Sequence, residues 1–180
     1  MSERPINVVV AGLTRSGLTL TCQMLSAGGM KVAGSFPGFE PYPIGCVPWG
    51  DINGQVVKLV DSHNHLPPEG TFAVIRLRRN LQEQAKSFVK FAGHFTSAKP
   101  PKGRDLVKSF KRDYKIIDEW AGNQRSSITI DFEQAISNPK SVVSRLAEFL
   151  GVDLDVDAAV SSVIPRDAGC HDDLLELKML

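Results

Sequence analysis

The feature that most constrains the fold lies near the N-terminus, where an apolar run meets a loop of small residues. Residues 8–20 read VVVAGLTRSGLTL, and four residues separate Gly12 from Gly17. This is the spacing of the phosphate-binding loop G-x-x-x-x-G-K-[ST], with Leu18 in place of the lysine. A strand before such a loop and a helix after it surround an anion with backbone N–H groups and a positive helix N-terminus. We therefore predict an anion-binding loop rather than a plain strand-to-helix turn.

The missing lysine restricts which anion this loop can hold. In nucleotide hydrolases and kinases the lysine bridges the β- and γ-phosphates, while magnesium neutralises the remaining charge. Leu18 cannot do this. Arg15, inside the loop, carries a planar guanidinium that suits phosphate or sulfate oxygens. We expect a ligand other than a magnesium-bound triphosphate.

Strand-like and helix-like segments alternate along the chain. Short β-branched apolar runs predict strands over residues 6–11, 55–60, 72–77 and 127–132. Helical patterns cover residues 19–27, 81 to about 92, 105–120 and 139–150. Asn80 and Glu83 have the spacing of a capping box at the start of the second helix. The alternation predicts one domain over residues 1–180 with a three-layer α/β fold. We expect a mostly parallel sheet with helices on both faces, similar to the P-loop nucleotide hydrolases.

Composition excludes several classes of protein. A net charge of +1 argues against bulk binding to nucleic acid or to a membrane surface, although it permits a local anion site. The cysteines Cys22, Cys46 and Cys170 are widely spaced and odd in number, which favours a reducing compartment over a disulfide framework. We find no apolar stretch near ~20 residues and no signal-peptide pattern. We predict a cytoplasmic protein.

A second anion motif follows the third predicted strand. Residues 76–88 read RLRRNLQEQAKSF, which places Arg78 and Arg79 at a strand end and Ser87 eight residues after Arg79. In a parallel sheet this strand end opens on the same edge as the first loop. Two anion sites on one edge predict a ligand with two separated phosphate groups. The alternative is a solvated basic turn.

The segment VVKLVDSHNHLP, residues 56–67, contributes further polar groups to the same edge. Lys58 lies in an apolar strand, which is costly unless its ammonium meets an anion or a carboxylate. His63 and His65 follow the strand, and an imidazole there can take a proton from an acceptor hydroxyl, unless it is merely solvated. Asp61, like Asp131 in the fourth predicted strand, could instead handle magnesium as in phosphate-loop enzymes.

Together these stretches resemble the sulfotransferases that use 3′-phosphoadenosine 5′-phosphosulfate (PAPS). GLTRSGLTL resembles the family's 5′-phosphosulfate loop, commonly written R-S-G-T-T or K-S-G-T-T. RRNLQEQAKSF resembles its 3′-phosphate motif, in which an arginine precedes a serine by eight residues. ITIDFEQAISNPKSVVSRLAEFLG resembles the later strand and helix, so that the match runs from about residue 6 to residue 151, with residues 35–54 and 93–125 unassigned.

The resemblance assigns the nucleotide contacts by position. The residues that would hold the 5′-phosphosulfate are Arg15, Ser16, Gly17, Leu18 and Thr19, with Leu18 in place of the usual threonine. Arg79 and Ser87 would hold the 3′-phosphate. Arg166, in VIPRDAG, would stand in for the family's late R-K-G segment over the adenine. No metal is required by this family.

The resemblance also implies sulfuryl transfer to a hydroxyl or amine of an unknown acceptor. Arg15 and Lys58 would stabilise the developing charge. His65 would be the general base, because it precedes Leu-Pro as in the family's K-x-H-L-P pattern, or else His63. Glu40, in the aromatic loop 35–54, is the third candidate, since some carbohydrate sulfotransferases use a glutamate.

Two other functions remain open from the residues. A phosphate-loop kinase of a small metabolite is favoured by Asp61 and Asp131 and opposed by Leu18. A degenerate nucleotide-binding module without catalysis is favoured by Leu18. The expected partners are the nucleotide and the acceptor, and the sequence leaves the oligomeric state open.

Overall fold

In the residues that the structure describes, four strands form one sheet. The computed structural model describes residues 7–40, 47, 49, 52–68, 72–95 and 101–169. The strands are β1 (Val8–Gly12), β2 (Val56–Val60), β3 (Ala73–Arg78) and β4 (Ser126–Asp131). They lie in the order β2-β1-β3-β4, and every neighbouring pair is parallel. The all-parallel sheet confirms the predicted fold class.

Helices connect the strands and cover both faces of the sheet. The longer helices are α1 (Leu18–Ala27), α2 (Leu81–Phe95), α3 (Gly103–Gly122) and α5 (Pro139–Leu150). Two short helices that the sequence did not predict, α4 (Phe132–Ser137) and α6 (Val156–Ser161), flank α5, and one 3-10 turn (Ser62–Asn64) follows β2. No helix in the described part of the chain combines the length and the apolar character needed to cross a bilayer.

Alternation along the strands builds two cores, one on each face. Val8, Val10 and Ile75 point to the face covered by α1, α4, α5 and α6. Val9 and Val74 point to the face covered by α2 and α3. Because a parallel strand is buried on both faces, its sequence is almost continuously apolar, as the runs in β1 and β2 are. The result is the predicted three-layer arrangement.

The helix ends show how local sequence sets the element boundaries. Asn80 Oδ1 accepts from the backbone N–H groups of Gln82 and Glu83, at 3.0 and 3.2 Å, which confirms Asn80 as the cap of α2. The backbone N–H of Asn80 donates to Glu133 Oε1 of α4 at 2.8 Å. Helix α5 begins at Pro139 and ends at Leu150, and Gly151 follows it with a φ of 64°, which suits glycine just past a helix C-terminus.

The strand order creates a crevice at one edge of the sheet. The chain passes from β1 to β2 on one side of β1 and then crosses from β2 to β3 on the other side, so that β1 lies between β2 and β3. In open parallel sheets, ligands bind outside the carboxyl ends of the strands where the order reverses. The loop after β1 and the start of α2 meet at this point.

Candidate functional site

The loop after β1 has a backbone that only particular residues tolerate. Gly17 has a φ of 102°, and a Cβ there would lie 2.7 Å from Phe132 Cδ2, so this position requires glycine. Arg15 has a φ of 65°, in the left-handed region that non-glycine residues rarely adopt. The loop is therefore a tight turn with a backbone held in place by its surroundings.

Three side chains from other elements hold the loop backbone. The N–H of Thr14 donates to Asp61 Oδ1 at 2.8 Å, and Gln84 Nε2 donates to the carbonyl of Thr14 at 2.8 Å. Arg79 Nη1 donates to the carbonyl of Arg15 at 3.1 Å. These bonds connect the loop to the end of β2 and to α2.

The two predicted anion motifs are in direct contact. Arg15 Nε donates to Ser87 Oγ at 3.0 Å, and Ser87 is only 3% exposed. The Arg15 guanidinium also lies 4.9 Å from the centroid of the Phe91 ring. The structure thus joins the first loop to the helix that carries the second motif.

The neighbouring arginines Arg78 and Arg79 face different parts of the molecule. Arg79 lies 4.3 Å from the centroid of the Phe132 ring, and its Nη2 donates to the carbonyl of Ala168 at 3.3 Å. Arg78 instead lies 3.9 Å from the Tyr114 ring and pairs with Asp118 of α3. Of the two, only Arg79 faces the crevice.

Lys58 is buried among acceptors, as its place in an apolar strand predicted. Its side chain is 1% exposed, and its Nζ lies 2.8 Å from Glu40 Oε1. The same Nζ donates to Thr19 Oγ1 at 3.3 Å and to the carbonyl of Gly38. All three ammonium hydrogens therefore have acceptors, and Lys58 ties the loop before residue 41 to the start of α1.

One pocket at the carboxyl edge of the sheet gathers most of the predicted site residues. Those that line it are Arg15, Gly17, Leu18, Thr19, Glu40, Lys58, Arg79 and Arg166. Ser16 is fully buried and Ser87 reaches the pocket through Arg15; neither contributes to the wall. The wall also includes Phe91 and Phe132, which no sequence motif indicated as site residues. The position of Phe132 directly after a strand at this edge was the signal that could have found it.

The two histidines lie outside the wall of this pocket. His63 Nε2 lies 3.8 Å from Asp113 Oδ2 of α3, and His65 is exposed. Asp61, between β2 and these histidines, directs its carboxylate at Thr14. Burial raises the pKa of Asp61, while the Thr14 hydrogen bond and His63 lower it and Asp113 raises it.

Other polar clusters do not form a metal or thiol site in the described residues. There, no three side chains among histidine, cysteine, aspartate and glutamate converge as metal ligands would. Cys22 is buried, and this burial raises its thiol pKa to about 12. Cys46 and Cys170 lie outside the described residues.

Comparison with solved structures places the fold among the sulfotransferases. No family model and no curated protein sequence matches the chain. The sulfotransferase domain of the Synechococcus olefin synthase is 16% identical with a TM-score of 0.61, covering 97% of this chain and 82% of that one. Retinol dehydratase with androsterone and the inactive cofactor PAP is 18% identical with a TM-score of 0.59, covering 90% of this chain and 64% of that one.

A mouse sulfotransferase complexed with PAP is 14% identical, again with a TM-score of 0.59, covering 90% of this chain and 63% of that one. The chain therefore spans less than two thirds of the length of two of these three proteins. At such identities the likeness is one of fold. The predicted resemblance is confirmed at that level: the chain has the P-loop-like α/β fold of the sulfotransferases.

Proposed function

We propose that this chain is a sulfotransferase that moves a sulfuryl group from PAPS to a hydroxyl or amine of an acceptor. The observation that carries the proposal is the convergence of Arg15, Arg79 and Arg166 on one pocket from three distant segments. A nucleotide with anionic groups at both its 3′ and 5′ positions matches this distribution of charge. Two of the similar structures contain PAP, adenosine 3′,5′-bisphosphate, which is the product that PAPS leaves after transfer.

The elements around the pocket suggest where each part of the nucleotide lies. The loop N–H groups and Arg15 would hold the 5′-phosphosulfate, with the Thr19 hydroxyl beside them. Arg79 and Ser87 would hold the 3′-phosphate. Arg166 and the ring of Phe132, 5.9 Å apart, would flank the nucleoside. In this arrangement no lysine is required at position 18.

We propose Glu40 as the general base. It lines the pocket beside Lys58, whereas His65 and His63, preferred from the sequence, do not line it. As the acceptor oxygen or nitrogen attacks the sulfur, the carboxylate would take its proton, and the bond from sulfur to the bridging oxygen would break. Arg15 would stabilise the negative charge that develops on that oxygen. Lys58 would orient Glu40 and Thr19, and direct contact of its ammonium with the sulfuryl group stays a prediction.

Single-turnover transfer from sulfur-35-labelled PAPS tests this assignment. With a panel of phenol, alcohol and amine acceptors, we expect Glu40→Gln to lower the rate by ~10²–10⁴-fold, because proton transfer is lost. PAP affinity should remain within about threefold, since the amide preserves the shape of the side chain. His63→Ala and His65→Ala should keep near-normal rates. A full rate in Glu40→Gln together with a large loss in His65→Ala would make His65 the base.

One observation favours a second candidate, a nucleotide-binding module without catalysis. Every ammonium hydrogen of Lys58 already has an acceptor within the chain, which leaves Lys58 tied to the loop rather than turned to a ligand. Tight PAP binding without transfer to any acceptor in the panel would support this candidate. ATP turnover dependent on magnesium would instead support the kinase alternative.

A further inference from the structure

Asp61 contacts the phosphate loop from outside the pocket. It follows β2 directly with a φ of 50°, and its Oδ1 accepts the Thr14 N–H at 2.8 Å. On the other side, the carbonyl of Thr14 accepts from Gln84 Nε2, and Gln84 Oε1 accepts from the Tyr114 hydroxyl at 3.0 Å. Both backbone polar groups of Thr14 are therefore held by side chains from separate elements.

These two hydrogen bonds at Thr14, from here on called the clamp, directly precede Arg15, the non-glycine residue of the loop whose φ is positive. The backbone of Arg15 has the left-handed conformation, which non-glycine residues keep only where their surroundings hold it. On its far side, Arg15 is held by Arg79 through its carbonyl. Arg79 is also expected to bind the ligand. The hydrogen bonds at Thr14 therefore support the backbone next to Arg15 through two side chains, Asp61 and Gln84, that are not expected to bind the ligand.

We propose that Asp61 is a positioning residue whose carboxylate keeps the loop, and with it Arg15, in the conformation that binds the anion. This positioning role differs from the magnesium-handling role that the sequence left open for Asp61, because its Oδ1 accepts a hydrogen bond from the Thr14 backbone N–H. The titratable groups that face Asp61 are His63 on the turn after β2 and Asp113 on α3. Asp113 is itself held by Ser109 Oγ and by Arg112 Nε, both at 2.9 Å. Asp61 thus belongs to an ordered polar cluster behind the loop.

Two substitutions at position 61 separate the hydrogen bond from the charge. Asp61→Asn retains an oxygen that can accept the Thr14 N–H, and asparagine tolerates a positive φ. Asp61→Gly removes the acceptor without adding backbone strain. Asp131→Gly is the matched control, because Asp131 ends β4 at the same edge and its side chain caps no helix N–H.

The first readout is amide hydrogen exchange at Thr14 in the ligand-free protein, and the second is the Kd for PAP. We expect Asp61→Gly to lose protection at Thr14 and at least about tenfold in PAP affinity, as one charge-assisted hydrogen bond implies. Asp61→Asn should keep the protection and stay within about threefold in affinity. Unchanged protection, or unchanged PAP affinity, in Asp61→Gly would overturn the proposal.

The nucleotide readout rests on the proposed function, whereas the amide readout does not. If the native chain fails to bind PAP, the proposed function falls, and Thr14 exchange alone decides whether Asp61 holds the loop. If Asp61→Gly does not fold, the Thr14 amide nitrogen shift is followed against pH in the native chain. We expect an inflection that disappears in Asp61→Asn, and a flat native profile would refute the clamp.

Discussion

At the scale of single residues, the function depends on which arginine turns toward the crevice. Arg78 is the last residue of β3, and its side chain lies on the same face as that of Arg76, where both pair with Asp118. Arg79 follows the strand and turns over the Phe132 ring. The sequence RLRR predicts that Arg78 and Arg79 lie at the strand end, but it does not show at which of them the strand stops. That boundary decides which of the two turns toward the crevice. Strand ends are the part of a sequence pattern that is hardest to locate.

We predict that Arg79→Ala weakens PAP binding by at least about tenfold, because one charge-assisted contact to the 3′-phosphate is lost. Binding of adenosine 5′-monophosphate, which lacks that phosphate, should change much less. Both affinities are measured by titration calorimetry, with Arg78→Ala as the control for loss of a neighbouring positive charge. Equal losses for the two nucleotides in Arg79→Ala would remove the 3′-phosphate assignment.

At the scale of elements, periodic patterns were informative and short segments were not. The four strands and the four longer helices were predicted within a few residues, since a continuous apolar run such as 8–11 and a helical apolar period such as that of 105–120 are directly visible in the sequence. The six-residue helices α4 and α6 contain too few turns to show a period. Without α4, Phe132 and Glu133 are not recognised as site residues, because the sequence pattern places Phe132 at the end of a strand and Glu133 in the connection after it.

In the candidate site, too, residues that belong to a spaced motif were predicted, whereas the choice of general base, which depended on a short pattern, was not supported. The loop residues and Arg79 were predicted from motif spacing, and the pocket brings them together except for Ser16, which is buried behind its wall. The preference for His65 over Glu40 came from a short pattern, H-L-P, whose distance from Lys58 differs from the family's. Only tertiary contacts show Glu40 beside Lys58, eighteen residues away along the chain.

The two glycines that flank α1 test how the loop is built. Gly17 and Gly29 have similar φ values, 102° and 99°. A Cβ added at Gly17 would collide with the Phe132 ring, whereas a Cβ added at Gly29 would meet no atom within 4 Å. We expect Gly29→Ala to cost ~1–2 kcal/mol of unfolding free energy, from backbone strain alone. Gly17→Ala should cost more, since Phe132 must also move, as measured by urea unfolding. Equal costs would show that the Phe132 contact does not constrain the loop.

At the scale of the whole molecule, the site depends on segments spread over most of the chain. Its wall runs from Thr14 in the first loop to Arg166 near the end of the described residues. Helices on opposite faces of the sheet contribute, with Phe91 from α2 and Phe132 from α4. Both hydrophobic cores support this edge of the sheet. The unfolding free energy of the whole chain therefore depends on the protonation state of buried groups near the loop.

Asp61 makes that link measurable as a dependence on pH. Burial raises the pKa of Asp61 in the folded chain above its ordinary value of about 3.9 in the unfolded chain. At a pH between the unfolded-state and folded-state pKa, the folded chain therefore binds a proton that the unfolded chain has released. The contribution of Asp61 to stability therefore falls as pH rises through this interval. We expect Asp61→Asn to gain unfolding free energy relative to the native chain at pH 7, with a smaller gain at pH 4. Urea unfolding at both values measures this, with Asp131→Asn alongside, and an equal difference at both pH values would contradict it.

The most direct test of the central claim is titration calorimetry of the native chain with PAP, adenosine 5′-monophosphate and ATP with magnesium. A pocket that recognises separated 3′ and 5′ anionic groups without a lysine at position 18 should bind PAP at least about tenfold more tightly than the monophosphate. It should also bind PAP more tightly than ATP with magnesium. Failure to bind PAP, or tighter binding of ATP with magnesium, would contradict the account.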